Sequence, residues 1–371
     1  QLDTAGMRRD QSRQLGSGAP GVVQLPEASP VGAERLARGM LTDNLHADEM
    51  RKNMYAPARE TSGRVVTAIG GGGIIGRALV ARLVAAGHVV RVAVRNPAKL
   101  EALTRAPGEG RVELIKASVV EGNSLAAAFD RADAVVNLVS IMDPDVQKMR
   151  EINVYGAQRA ARVAHECGVA RYIHASAIGA SLNSPSAYGR SKGEAERVVR
   201  TAFPGASLIR PSVVCGPRDS FMNMFALIAK LSPILPVFAS KTRFQPVYVG
   251  DVAEAIVRLL GASEGARTVE AGGPDVFTMR ELMEFVLDAT NRKRLLLSVP
   301  GFVARLEGKI FEKLPGHILT SDQVAMMGVD NVVHSGVDTL TSLGIDPVSL
   351  KLVGPSYLGG SVFESWRRFF S

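Results

Sequence analysis

From Arg64 onward, apolar positions gather into short, nearly continuous runs rich in β-branched residues. These are VVTAI (65–69), VVRVAV (89–94), VELIKA (112–117), AVVNLV (134–139), RYIHAS (171–176) and ASLIRPS (206–212). Runs of this length predict strands buried on both faces. Between them lie IIGRALVARLVAAG, PAKLEALTRA, SLAAAFD, DVQKMREINVYGAQRAARVAHECG and YGRSKGEAERVVRTAF, with apolar residues at i, i+3 and i+4. That spacing predicts helices, and Gly87 and Gly168 stand where two of them should stop. Strand–helix alternation of this kind builds an α/β fold, a Rossmann-like doubly wound parallel sheet covered by helices on both faces.

After Pro211 the alternation loosens. Segments 217–245 and 274–371 read as a smaller, mostly helical part with one strand at RLLLSV (294–299). The expected organisation is therefore a nucleotide-binding domain over 63–273, with 217–245 as an excursion to the small domain, and a small C-terminal domain and tail over 274–371. Residues 1–62 scatter Gly, Pro, Ser and Arg with little period, apart from a short helical pattern around Glu34–Met40. A stretch so composed cannot bury enough apolar surface to order itself, so an extended arm is expected there.

Charge changes the picture modestly. The chain of 371 residues carries a net charge of +8 with a pI near 9.6, so nucleotides, anionic lipid and nucleic acid are all eligible partners. The two ends are nearly neutral, so the excess falls in 64–285, with no Lys/Arg block and few aromatics. That distribution argues against a nucleic-acid groove. Cys167 and Cys215 lack a neighbouring thiol or histidine at metal spacing, which predicts buried, inert thiols in a reducing compartment. The most apolar run, FALIAKLSPILPVFA (225–239), contains Lys230 and two prolines and is too short for a membrane span. FVARLEGKIFEKL (302–314) is amphipathic with Arg305, Lys309 and Lys313 on one side, as in a surface helix or a contact with anionic phospholipid. The chain opens at Gln1 rather than Met, as a processed precursor would.

Two patterns carry chemistry. VVTAIGGGGIIG (65–76) ends a strand and opens a helix, the setting of a phosphate-binding turn in which absent Cβ atoms admit a pyrophosphate to the helix N-terminus. Gly71, Gly73 and Gly76 fit G-x-G-x-x-G; Gly70, Gly73 and Gly76 fit the looser G-x-x-G-x-x-G. The second strand ends in Arg95, with Asn96 and Lys99 close by, where an NAD site would place an acid for the ribose 2′-hydroxyl. A cation there suits a 2′-phosphate and favours NADPH. In SAYGRSKGEAERVV, Tyr188 and Lys192 lie one helical turn apart. In a reductase Tyr188 would be the general acid and Lys192 would lower its pKa, with Ser176 completing the set.

With these residues assembled, the chain resembles the atypical short-chain dehydrogenase/reductases of the extended type, which use the Gly70, Gly73, Gly76 frame. LIRPSVVCGPRDSFMNMFA (208–226), FQPVYVGDVAEAIV (244–257), LTSDQVAMMGVDNVV and LGIDP narrow the resemblance to the NADPH-binding accessory subunits of mitochondrial complex I. That likeness implies a non-catalytic subunit on the matrix side of the inner membrane, peripheral, with the arm on neighbouring subunits near the quinone site. It implies a structural NADPH lined by Gly70, Gly73, Ile74, Ile75, Gly76, Arg95, Ser118, Val139, Tyr188, Lys192 and Pro211. Ser118 departs from the Asp usual near the adenine. Retention of Tyr188 and Lys192 keeps open an active NADP-dependent reductase or epimerase acting on a sugar nucleotide or small carbonyl compound.

Overall fold

The computed structural model describes residues 63–105, 108, 110–262, 265–299 and 321–359. The expected arm over 1–62 and the amphipathic stretch 302–314 lie outside the described residues.

Strand β1 (Val65–Ile69) leads through the glycines into helix α1 (Ile74–Ala85), then β2 (Val89–Val94), β3 (Arg111–Lys116), helix α2 (Gly122–Phe129) and β4 (Ala134–Asn137). Helix α3 runs over 146–166 and contains a π-helical turn at Glu151–Tyr155. β5 (Arg171–Ala175), α4 (Ala187–Ala202) and β6 (Ser207–Pro211) follow. The six strands read from the sequence are thus present within one or two residues of their expected ends. Gly87 and Gly168 close α1 and α3 with positive φ of 82° and 70°, a conformation that glycine adopts without strain.

One predicted helix differs. Pro97–Arg105 is a 3-10 helix with Leu100 as its only buried residue. A single anchored side chain gives no apolar stripe for an α-helix to wind around.

Beyond β6 come β7 (Val214–Cys215), α5 (Phe221–Leu231), β8 (Ile234–Phe238), β9 (Arg243–Phe244), β10 (Val247–Tyr248) and α6 (Val249–Gly261). They are followed by β11 (Thr268–Ala271), β12 (Phe277–Thr278), α7 (Met279–Ala289), β13 (Leu295–Val299), α8 (Ser321–Met327), β14 (Asp338–Thr339) and α9 (Leu350–Leu358). The sheet has eight parallel strands in the order β14-β11-β6-β5-β4-β1-β2-β3. Its last two members, β11 and β14, extend it past the strands legible in the sequence.

Each face has its own core. α1 and α6 cover one side with Leu79, Val80, Leu83, Val252, Ile256 and Leu260. Helices α2, α3 and α4 cover the other with Leu125, Phe129, Ala160, Ala164, Ala195 and Val199. A third cluster, built from Met222, Phe225, Leu235, Val237, Met283, Val286, Val353 and Leu358, holds α5, α7, α9 and the β8–β13 ribbon together. No helix among the described residues is long and apolar enough to cross a membrane.

β1 lies between β2 and β4. The chain leaves β1 toward β2 and β3, then returns to its other side at β4. Such a reversal opens a crevice at the carboxyl ends of the strands, where α/β proteins bind ligands.

Candidate nucleotide-binding site

The glycine turn sits at that crevice. Gly70 has a φ of 79°, and a Cβ there would come within 3.1 to 3.3 Å of Val139 and the Leu138 carbonyl carbon. Gly76 meets the backbone of Gly71 directly: a Cβ would stand 2.5 Å from the Gly71 Cα. Gly73 differs. Its φ is an ordinary −71°, and a Cβ would touch only the Gly70 carbonyl oxygen at 3.5 Å. The chain itself does not demand glycine at 73, so the backbone there lies open in front of the helix. Because Gly70 needs its positive φ, the Gly70, Gly73, Gly76 frame describes the turn.

Among the described residues no side chain caps α1, and no acidic residue occupies its first turn. Its N-terminus therefore presents uncompensated positive potential to the crevice. Ile74 and Ile75 form the first helical positions beside Gly73. Arg95 follows β2 on the same edge, exposed and without a partner among the described residues. Ser118 follows β3 half-buried, with its N–H donating to Ser124 Oγ at 3.0 Å. Val139 follows β4, its N–H bonded to Asn137 Oδ1 at 3.0 Å, and Pro211 ends β6 buried. The structure thus brings the expected residues to one edge of the sheet. Open glycine backbone, a bare helix end and an unpaired guanidinium fit a phosphorylated dinucleotide.

At the far end stand Tyr188 and Lys192 on α4. That helix is held from several sides. Ser186 Oγ accepts from the Gly189 N–H at 2.8 Å, and Arg210 on β6 donates to both oxygens of Glu196 at 2.8 and 2.6 Å. The Asp322 carboxylate, arriving from α8, accepts the N–H groups of Ala187 and Tyr188. Lys192 is 1% exposed, and its Nζ donates to the Ala175 carbonyl at 2.6 Å. Burial pulls its pKa down to about 8, against the opposing pull of Glu196. Neighbouring His174 is wholly buried and held well below its usual range, first by burial and then by the Lys192 charge.

Ser176 Oγ is buried without a hydrogen-bond partner among the described residues. The half-buried Tyr188 phenol is instead paired with the Ser140 hydroxyl; burial raises its pKa, and Ser140 rather than Lys192 opposes that rise. Ser140 follows β4, so strand order brings it to Tyr188 where sequence distance gave no hint. Asn153, in the π-turn of α3, was equally invisible: its side chain pairs both ways with Ile141 at 2.8 Å and donates to Ser191 Oγ at 3.0 Å. Only the interruption of helical period near residue 153 could have signalled it.

Cys215 is buried as expected, but Cys167 is exposed. It lies at the C-cap of α3, one step past the helix's last residue, where the apolar stripe has already turned away. No group of three or more His, Cys, Asp or Glu among the described residues could hold a metal ion.

Residues 70–212 match the family model described as NAD(P)H-binding. Over 251 residues the chain is 36% identical to "NADH dehydrogenase (ubiquinone) 1 alpha subcomplex subunit 9, mitochondrial" of Arabidopsis thaliana, covering 66% of this chain and 62% of that protein. It therefore spans less than two thirds of that relative's length. The protein of the same name from Mus musculus is 30% identical over 258 residues, 68% of each chain. A protein named ceramide reductase from Caulobacter vibrioides is 30% identical over 253 residues, 65% of this chain and 75% of that one. With a nicotinamide nucleotide site at the sheet's switch point and this extent of likeness, the chain belongs to the NADH dehydrogenase (ubiquinone) 1 alpha subcomplex subunit 9 family.

Proposed function

We propose that the chain is an accessory, non-catalytic subunit of mitochondrial complex I that holds NADPH as a structural group. Its seat is peripheral, on the matrix side of the inner membrane, among the subunits around the quinone site. The relatives' names support the assembly. Arg95 supports NADPH over NADH: no carboxylate ends β2 to accept from a ribose 2′-hydroxyl, and a guanidinium without a partner among the described residues stands there to pair a 2′-phosphate.

The observation that carries the non-catalytic reading is the state of the Tyr188–Lys192 pair. A general acid in hydride transfer needs a phenol whose pKa is drawn toward neutrality. Burial instead pushes Tyr188 upward, and the Lys192 ammonium donates to the Ala175 carbonyl. On this reading NADPH keeps its hydride; the glycine turn and Arg95 would hold its phosphates, and Tyr188 and Lys192 would lie toward its nicotinamide end.

A second reading is an active NADP-dependent reductase or epimerase on a sugar nucleotide or small carbonyl compound. Tyr188 and Lys192 on successive turns of α4 favour it, as does the likeness to ceramide reductase. One experiment separates the two. The native chain is purified, its mass in solution measured and its bound nucleotide identified by mass spectrometry, for wild type and Tyr188→Phe. The structural reading expects near-stoichiometric NADPH within a larger assembly, unchanged by Tyr188→Phe. A lone chain whose NADPH-dependent carbonyl reduction disappears in Tyr188→Phe overturns it.

A further inference from the structure

β8 and β13 form a two-stranded sheet of their own, paired in parallel with Leu295 opposite Ile234 and Val299 opposite Phe238. The Leu295 N–H donates to the Pro233 carbonyl at 3.1 Å. In a parallel ladder alternate residues turn their polar backbone toward the partner strand. Leu295, Leu297 and Val299 therefore face β8, and the N–H and C=O groups of Leu296 and Ser298 point out from the free edge of β13. Nothing among the described residues takes them up.

The two edges of this ribbon are built differently. On β8 the outward positions are Ile234 and Pro236, and proline, having no N–H, blocks pairing there. β13 reads LLLSV, with neither proline nor charge inside it. Its Leu295 and Leu297 are 63% and 51% exposed, beside Ile234 at 41%. An open edge joined to an exposed apolar face is the form of a strand that lacks its neighbour.

Charge narrows what that neighbour is. Residues 229–241 and 291–299, the ribbon and its approaches, hold Lys230, Lys241, Arg292, Lys293 and Arg294 and no Asp or Glu. A second copy of this chain would bring the same cations against them. A lipid surface would suit the cations and the leucines, but hydrocarbon would leave the edge N–H and C=O groups without partners. An extended peptide segment answers the edge, the leucines and the charge together. We propose that the free edge of β13 is a docking site for a strand of a different protein, apolar at alternate positions and flanked by acidic residues, which joins the ribbon beside β13. The proposal does not rest on the nucleotide reading.

The test uses the full-length chain and a fluorescein-labelled probe peptide of alternating valine and threonine with aspartates at both ends. Hydrogen exchange followed residue by residue should find the Leu296 and Ser298 amides fast in the chain alone and slowed about tenfold or more by the peptide. The Leu297 amide, already turned to β8, should change little. Ser298→Pro deletes an outward N–H and keeps the bonds to β8, so the melting temperature should hold while peptide affinity falls about tenfold. A probe with lysines in place of the aspartates should bind roughly tenfold more weakly at low salt. Peptide binding that leaves the Leu296 and Ser298 amides unprotected overturns the proposal, as does equal binding of the two probes. So does failure of the aspartate probe to bind, whether the chain instead pairs with itself at high concentration or adsorbs to vesicles containing phosphatidylglycerol.

Discussion

Gly73 and Arg95 at one end of the crevice, and Lys192 and Asn153 at the other, stand at the edge of one parallel sheet but satisfy their polar groups differently. At the Gly73 end, among the described residues, a helix N-terminus goes uncapped, glycine backbone lies open and Arg95 has no partner. At the Lys192 end the side chains answer one another: Lys192 with Ala175, Tyr188 with Ser140, Asn153 with Ile141 and Ser191. Groups left unsatisfied by the chain are where a ligand gains most, because its bonds replace water rather than protein. Among the described residues, Ser176 Oγ and both ring nitrogens of His174 are buried at the Lys192 end without hydrogen-bond partners.

The sharpest way to break the comparison is Gly76→Ala. The new Cβ would meet the Gly71 Cα at 2.5 Å, backbone against backbone, so no rotamer change relieves it. Nucleotide binding should be lost outright and stability should fall by about 3 kcal/mol, read by thermal melting and NADPH fluorescence. Equal binding by this variant would mean the turn does not shape the phosphate end.

Next is the buried ammonium at the inner end. Lys192 titrates near 8 when folded and at its ordinary 10.5 when unfolded. Between those values the unfolded chain binds more protons, so this group's contribution to stability rises with pH across the window. The full span is on the order of 3 kcal/mol. It must be read as the difference between wild type and Lys192→Met in denaturant titrations from pH 7 to 10. Buried Cys215 runs the opposite way: its thiol is raised above 9.0, so its contribution is complete below 9.0 and is lost at higher pH. A flat difference would show that Lys192 is solvated and the inner end is not closed.

Arg95→Glu sharpens the outer end. NADPH affinity should drop roughly a hundredfold, while NADH affinity stays within about twofold, as measured by parallel titrations. Equal losses would remove the 2′-phosphate assignment. The smallest effect belongs to Asp322→Ala, which uncaps α4 at Tyr188. It should cost about 1 kcal/mol and leave NADPH affinity nearly unchanged, since it touches only the self-satisfied end.

Legibility in the sequence followed the range of the forces involved. β1 to β6 announce themselves because each is an apolar run buried on both faces. β11 and β14 do not: TVEA is a strand because β6 offers an edge to pair with, and DT because β11 then offers the next. Tyr188, Lys192 and the glycines were visible because their geometry is set within one turn of local chain. Ser140, Asn153 and Asp322 gain their meaning from contacts made across the fold, which no local spacing encodes.

One packing arrangement has a consequence for how the molecule comes into being. The apolar side of β1 and β5 that faces α1 is completed by α6, whose residues 249–261 are made long after the strands they cover. A nascent chain that has reached residue 212 therefore carries every element of the nucleotide fold yet leaves one flank greasy and bare. It has to wait, shielded by a chaperone or at risk of clumping, until nearly fifty more residues emerge. Shortened versions that stop at the family-matched stretch should for this reason be recovered as insoluble material.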